Sequence, residues 1–293
     1  MPHAICRCDR TCSSWSLRGW LLFEAFGLKA DTVIASLQGA HFAQTLADVA
    51  PARTVPALRL PEGIVISGSL ALGEEPAMRN PEAGHWPKAP RARAMARALA
   101  RAPAAEMHPS FTALRSRCPM TLRVSYETCE PPQAVLDDLA RLQELWCWAR
   151  RETGAKDPWL CGAYSVADAF FAPVAARVAG YNLPLAPEGA AYVAAHLADP
   201  AFRRWRAMGL VSGPHQSFYD RPWPQRAWPG PAPLSAEACE GPSVNDTCPY
   251  SGKPVTHFAR IDGRVLGFCN EFCRDKSVAD AEACPQLRPL LQP

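Results

Sequence analysis

Residues 10–27 read Arg-Thr-Cys-Ser-Ser-Trp-Ser-Leu-Arg-Gly-Trp-Leu-Leu-Phe-Glu-Ala-Phe-Gly. Trp15, Leu17, Leu21, Leu22 and Phe26 give the stretch its apolar residues at helical spacing and Gly27 supplies a stop, so the pattern predicts a helix from Ser14 to Phe26. Ser13 and Ser14 then stand at a helix N-terminus, where backbone N–H groups lack partners and the dipole end is positive. Upstream, Ala4-Ile5-Cys6 reads as a short strand. Downstream, Thr32 to Leu37 reads as a strand and His41 to Val49 as a short helix. Thr54 to Leu58 leads into a further strand, Gly63 to Ile66 forms its hairpin partner, and a helix begins near Ser67 to Ser69.

The order β-α-β-α-β-β-α is that of a thioredoxin-like α/β domain, here residues 1–80. Residues 88–212 carry no strand pattern and read as an all-helical domain. Its helices are a long one from Ala92 to Leu114, bent near Pro103 and Pro109, then Gln133 to Arg151, a third entered through Ser165-Val166-Ala167-Asp168, Pro187 to Leu197, and Pro200 to Met208. In the stretch 213–245, Pro214, Pro222, Pro224, Pro229, Pro231, Pro233 and Pro242 break regular structure and predict a linker, with Trp223 and Trp228 able to dock on a domain. Residues 246–293 are too few to fold on a hydrophobic core alone and call for a metal or a partner.

Composition bounds the function. The 293 residues are 48% hydrophobic and 20% charged, enough to bury real cores in two or three domains. No run of about 18 apolar residues occurs, which argues against a membrane span. Met1 to Asp9 lacks a basic-then-apolar leader pattern, so a cytoplasmic setting with reduced thiols is expected for the 12 cysteines. A net charge of +3 demands neither a nucleic acid nor a membrane partner. Arg93, Arg97 and Arg101, one helical turn apart, read as a solvated basic stripe. Cys6, Cys8 and Cys12 spell C-x-C-x3-C, a spacing open both to a metal and to a buried strand.

Four features in order resemble the cytosolic glutathione transferases, in particular zeta-like bacterial members: the Ser-rich loop and helix start at 10–18, Val55-Pro56 in the place of a cis-proline, Ser67-Gly68-Ser69 where the family has an acid followed by Ser, and the Ser165–Asp168 capping box. The resemblance covers roughly residues 3–210. It implies glutathione as cosubstrate, a small electrophilic second substrate between the domains, and a homodimer. Ser13 or Ser14 would stabilise the glutathione thiolate. The Val55 backbone beside Pro56 would pair with the cysteinyl part, Ser67 or Ser69 would receive the γ-glutamyl end, and Arg53 the glycyl carboxylate. Gly68 departs from the pattern, since the expected acid is missing. Trp15, Met107, Phe111 and Arg117 are the candidates for the electrophile pocket. The implied reactions are conjugation of glutathione or glutathione-dependent isomerisation. Cys12, a second departure, opens an alternative thiol-disulfide or deglutathionylating chemistry through a mixed disulfide. A non-catalytic, metal-responsive binding protein is the third reading.

The tail carries Cys248-Pro-Tyr-Ser-Gly-Lys-Pro-Val255, a hairpin turning at Asp262-Gly263, and Phe268-Cys269-Asn-Glu-Phe-Cys273-Arg274. Cys269 and Cys273, four apart, share one helix face, and Cys248 comes from a knuckle, an arrangement suited to tetrahedral Zn2+. The segment resembles the YHS and TRASH families of small metal-binding domains. His257 is the expected fourth ligand, with Cys284 and Cys239 behind it. The competing reading is reduced cysteines packing a tiny core.

Overall fold

The computed structural model describes residues 4–7, 9–35, 42–101 and 111–292. A four-stranded sheet forms the first layer: β1 (Ala4–Arg7), β2 (Asp31–Ile34), β3 (Ala57–Arg59) and β4 (Val65–Ser67), in the order β2-β1-β3-β4. β1 runs parallel to β2 and antiparallel to β3, which pairs antiparallel with β4. Helices α1 (Ser14–Glu24), α2 (Phe42–Ala47) and α3 (Ser69–Arg79) complete the β-α-β-α-β-β-α order expected from the sequence. The Val55–Pro56 peptide is cis. α1 is held by its apolar face, because Leu17, Leu21, Leu22 and Phe23 are fully or almost fully buried and join the main core.

The second layer is helical. Over 92–114, where the sequence predicts one helix bent near Pro103 and Pro109, the structure describes α4 (Pro90–Arg101) and α5 (Thr112–Arg117), and both prolines lie outside the described residues. The Arg stripe of α4 lies at the surface, with Arg97 paired to Glu74 at 3.4 Å and over the Trp86 ring. α6 (Gln133–Thr153) is amphipathic, burying Leu139, Leu142, Leu145 and Trp146. α7 (Val166–Tyr181) is buried along its whole length, as its nearly uninterrupted apolar and small residues require. Asp168 anchors it: the Ser165 N–H and hydroxyl donate to its Oδ2, both at 2.9 Å, and Leu160 N–H and Tyr192 hydroxyl donate to Oδ1 at 3.2 and 3.0 Å. α8 (Pro187–Ala198) and α9 (Pro200–Leu210) close the bundle.

The Pro-rich stretch 213–245, expected to be a linker, contributes two strands. Its β6 (Gln225–Arg226) pairs with β5 (Ser125–Tyr126), and its β7 (Ala236–Cys239) forms an edge of the tail sheet. The prolines flank these short strands instead of interrupting them. Trp223 packs edge-on against Tyr126 and Tyr181, and Arg206 lies over Trp228. In the tail, β8 (His257–Ile261) and β9 (Arg264–Phe268) turn at Asp262-Gly263, both at positive φ, and α10 (Glu271–Ala279) follows. Gly267 matters here: a Cβ would lie 2.6–2.8 Å from Ser243 and Val255, which close over β9. A final short helix, α11, spans Arg288–Leu291. α10 packs on α9, where Arg203 holds Asp280 through two bonds of 2.8 and 2.7 Å.

Candidate functional site

The N-terminus of α1 sits between two cavities, and Trp15 lines both. The first, about 460 Å³, is bounded by Arg53, Thr54, Val55, Pro56, Gly68 and Ser69. The second, about 390 Å³, lies between the α/β and helical layers and is lined by Cys12, Ser13, Ser14, Arg115, Arg177, Tyr219 and Arg221 among others. Volume alone does not mark the site, since a depression of about 480 Å³ on the α6 surface near Trp148 touches none of these residues.

The two serines have different tasks. Ser13 caps α1: its hydroxyl accepts from Ser16 N–H at 3.3 Å and donates to Ser16 Oγ at 2.8 Å. Ser14, the first helical residue, lines the second cavity with its hydroxyl uncommitted among the described residues. Cys12 is buried and accepts a hydrogen bond from the Tyr219 hydroxyl. Burial above all, then Cys12 and Asp9, pushes the Tyr219 hydroxyl above its ordinary value. Asp9 itself accepts from the Thr11 N–H and hydroxyl at 2.8 Å each.

In the first cavity Val55 and Pro56 close one wall and the start of α3 the other. Ser69, the first residue of α3, is buried, and Ser67 ends β4 without lining the cavity. Gly68 has φ +88° and ψ 130°, a conformation that glycine alone adopts without strain. An acid at that position would therefore need a different backbone.

Two pocket residues expected from the sequence fall elsewhere. Phe111, the N-cap residue of α5, is a buried member of the main core. Arg117 is exposed, and Arg115, two positions back and so turned to another side of α5, lines the cavity in its place. Met107 lies outside the described residues, as do Cys8 and the side chain of Cys6. Arg115, Arg177, Arg221 and Tyr219 were missed. One signal was present: Arg177 is the lone cation of α7, a helix otherwise apolar apart from the capping Asp168.

In the tail, the Cys248, Cys269 and Cys273 sulfurs lie within 4.8 Å of one another. Cys248 comes from the knuckle before β8, Cys269 follows β9, and Cys273 is on the first turn of α10, whose Asn270 cap accepts from the Cys273 N–H at 2.8 Å. Burial raises the Cys248 thiol, but N–H donors of Cys269, Tyr250 and Ser251 outweigh it and lower its pKa overall. Burial, then the neighbouring sulfurs, raise Cys273. His257 does not join the three thiols. It is fixed on β8 opposite Phe268, and its Nδ1 shares a 2.9 Å hydrogen bond with Thr256. Cys239 faces Phe258 across the sheet, and Cys284 packs in the tail core.

Residues 12–75 match the family model "Glutathione S-transferase, N-terminal domain". Among solved structures, a glutathione transferase homolog from Burkholderia BGR1 with bound glutathione is similar at 19% identity and TM-score 0.53, covering 72% of this chain and 100% of that one. The fold is that of the glutathione transferases. Glutathione transferase Omega 3C from Trametes versicolor is similar at 17% identity and TM-score 0.54, covering 74% and 91% of the two chains, and Omega 2S from the same organism at 22% and 0.51, covering 72% and 95%. Comparison with curated proteins finds no match. In the glutathione transferase fold of this chain, the matched segment contains the whole first cavity and the serine-bearing turn of α1. No described helix is long and apolar enough to cross a membrane.

Proposed function

We propose that this chain is a glutathione transferase-like enzyme that joins glutathione to a small electrophile, or isomerises one with it. The observation that carries the reading is the pair of cavities sharing Trp15 at the N-terminus of α1. Glutathione would occupy the cavity of Arg53, Val55, Pro56 and Ser69, with its backbone paired to Val55 as an added strand. Its thiol, at about 8.5 when free, is little ionised at neutral pH. The positive dipole end at the N-terminus of α1 favours the thiolate. Ser14 would donate its free hydroxyl to that sulfur, while Ser13 holds the turn that presents it. In conjugation the sulfur forms a bond to the electrophilic carbon, the leaving group departs with its electron pair, and the thiol proton passes to solvent. Without the acid that Gly68 replaces, binding loses one charged hydrogen bond, about 1.5–3 kcal/mol.

A second reading follows from Cys12, which lines the electrophile cavity and accepts the Tyr219 hydrogen bond. There the Cys12 sulfur would attack the glutathionyl sulfur of a mixed disulfide and release the substrate's thiol, and a second glutathione would then free Cys12 by leaving as glutathione disulfide. The third, a non-catalytic role, would leave the cleft empty of glutathione. Glutathione titration followed by tryptophan fluorescence and calorimetry tests all three. Saturation at or below millimolar levels, weakened by Ser69→Ala, supports the enzyme reading; no saturation defeats it. Conjugating activity kept in Cys12→Ser and reduced about tenfold or more in Ser14→Ala favours the serine mechanism.

For the tail we propose a structural Zn2+ on Cys248, Cys269 and Cys273. Three mutually adjacent thiols are a soft donor set that fits this ion. Bound there, it would supply folding energy to a segment with few buried residues of its own. The homodimer and the cytoplasmic setting belong to the same reading; light scattering after gel filtration checks the first.

A further inference from the structure

The second cavity has an electrostatic character that neither conjugation nor isomerisation requires. Arg115, Arg177 and Arg221 line it, and no Asp or Glu among the described residues does. Arg177 is the informative member. It projects from α7, is 4% exposed, and its Nε is buried without a hydrogen-bond partner, while Nη1 donates to the Pro173 carbonyl at 3.0 Å. Burying a guanidinium without an opposing charge is costly, and here a further arginine stands close by. Burial first, then Arg115, lowers its pKa to about 10, the wrong direction for a group with an acidic partner. Arg221, at the cavity rim, donates to the carbonyls of Asp220 at 2.8 Å and Phe218 at 3.4 Å. The Asp220 carboxylate next to it is held instead by His215 at 2.7 Å. Cation–π contact or exposure at the outer surface does not account for Arg177, which is almost fully buried and has no aromatic ring over its guanidinium among the described residues.

We infer that this cavity binds a carboxylate on the second substrate, with Arg177 as its deep contact and Arg221 at its entrance, so that the enzyme selects anionic electrophiles. A planar carboxylate matches the guanidinium fork, and a cavity closed by Trp15, Met120 and Phe218 leaves apolar space for the carbon skeleton. The inference rests on reading the adjacent cavity as the glutathione site. The carboxylates of glutathione itself would lie beyond Trp15, against Arg53 and Ser69.

Unreactive probes test the anion site without any turnover. The full chain is titrated by calorimetry with 3,5-dinitrobenzoate and with the neutral 3,5-dinitrobenzamide, each with and without glutathione. We expect the benzoate to bind at least tenfold more tightly than the amide. That preference should vanish in Arg177→Met, fall partway in Arg177→Lys, and fall in Arg221→Gln, a rim substitution that does not disturb the core; circular dichroism and melting confirm the fold of each. Equal affinity for the two probes, or a preference that survives both Arg177→Met and Arg221→Gln, overturns the inference. So does competition between benzoate and glutathione, which would assign the arginines to glutathione's own carboxylates. If glutathione fails to bind while the benzoate preference holds, the transferase reading falls and the anion site stands.

Discussion

The glutathione transferase-fold body and the cysteine-bearing tail solve the same problem with different means. In the body, one continuous core runs from α1 through α4, α6 and α7 to α9, and its polar members are tied by hydrogen bonds such as those on Asp168. The tail has a far smaller core, around Ile261, Leu266, Phe268 and Leu287, in which two of the clustered thiols, Cys248 and Cys273, are themselves buried members. A body of this size buries enough apolar area to outweigh chain entropy, whereas the tail falls in the range that needs an added staple. The tail also borrows support: Arg203 of α9 holds Asp280, and Arg10, ahead of α1, lies over the Phe272 ring of α10.

Four measurements would break or sharpen this contrast. The largest expected effect is removal of the proposed zinc. A strong chelator, or Cys273→Ser, should open residues 246–293 to proteolysis and fast hydrogen exchange while α4 to α9 stay protected. A tail equally protected with and without metal would end the contrast. Next, Asp168→Ala should destabilise the body by about 3–5 kcal/mol in urea, because it leaves buried donors on Ser165, Leu160 and Tyr192 without an acceptor. A loss below about 1 kcal/mol would mean the helical core tolerates the missing anchor.

Arg203→Ala should then cost about 1–3 kcal/mol, since its bidentate pair with Asp280 is largely shielded from water. The double change with Asp280→Ala should cost little more than either alone. Additive losses would show that tail and body are not coupled there. The smallest effect concerns pH. Burial depresses His196 to about 3, so its contribution is complete above the unfolded value near 6.5 and is lost as pH falls toward 3. Asp168, raised by burial to about 6, acts in the opposite sense and loses stability as pH rises from its unfolded value through 6. Between pH 7 and 5, His196→Phe should lose on the order of 1–2 kcal/mol less than the parent chain, read from urea midpoints. Parallel pH curves for the two proteins would refute the assignment.

Much of this was legible in the chain itself. The α1 stretch, the strand and helix order to residue 79, and the capping box at Ser165 and Asp168 are local patterns. Cys269 and Cys273 do meet, but not on one helix face as expected, because Cys269 precedes the Asn270 cap of α10. Period, cap and turn chemistry act over a few residues, so they survive in a linear reading. The Asp262-Gly263 turn is another such case, with both residues at positive φ.

What escaped the sequence was set by contacts between distant segments. Gln225–Arg226 becomes a strand only because Ser125–Tyr126 lies alongside it, and β7 only because β8 offers its edge. Arg115 faces the cavity and Arg117 does not, a choice fixed by how α5 rotates against α6. Ser13 and Ser14 look interchangeable in the chain, but the start of α1 gives one a capping bond to Ser16 and leaves the other open. Arg177 and Tyr219, 42 positions apart in number, share one wall only after α7 is buried and the Pro-rich segment folds back over it. Local sequence determined the elements and their ends, because propensity and capping are short-range. Tertiary packing decided which side chains face the cavities, because orientation depends on partners that the chain brings together only when folded.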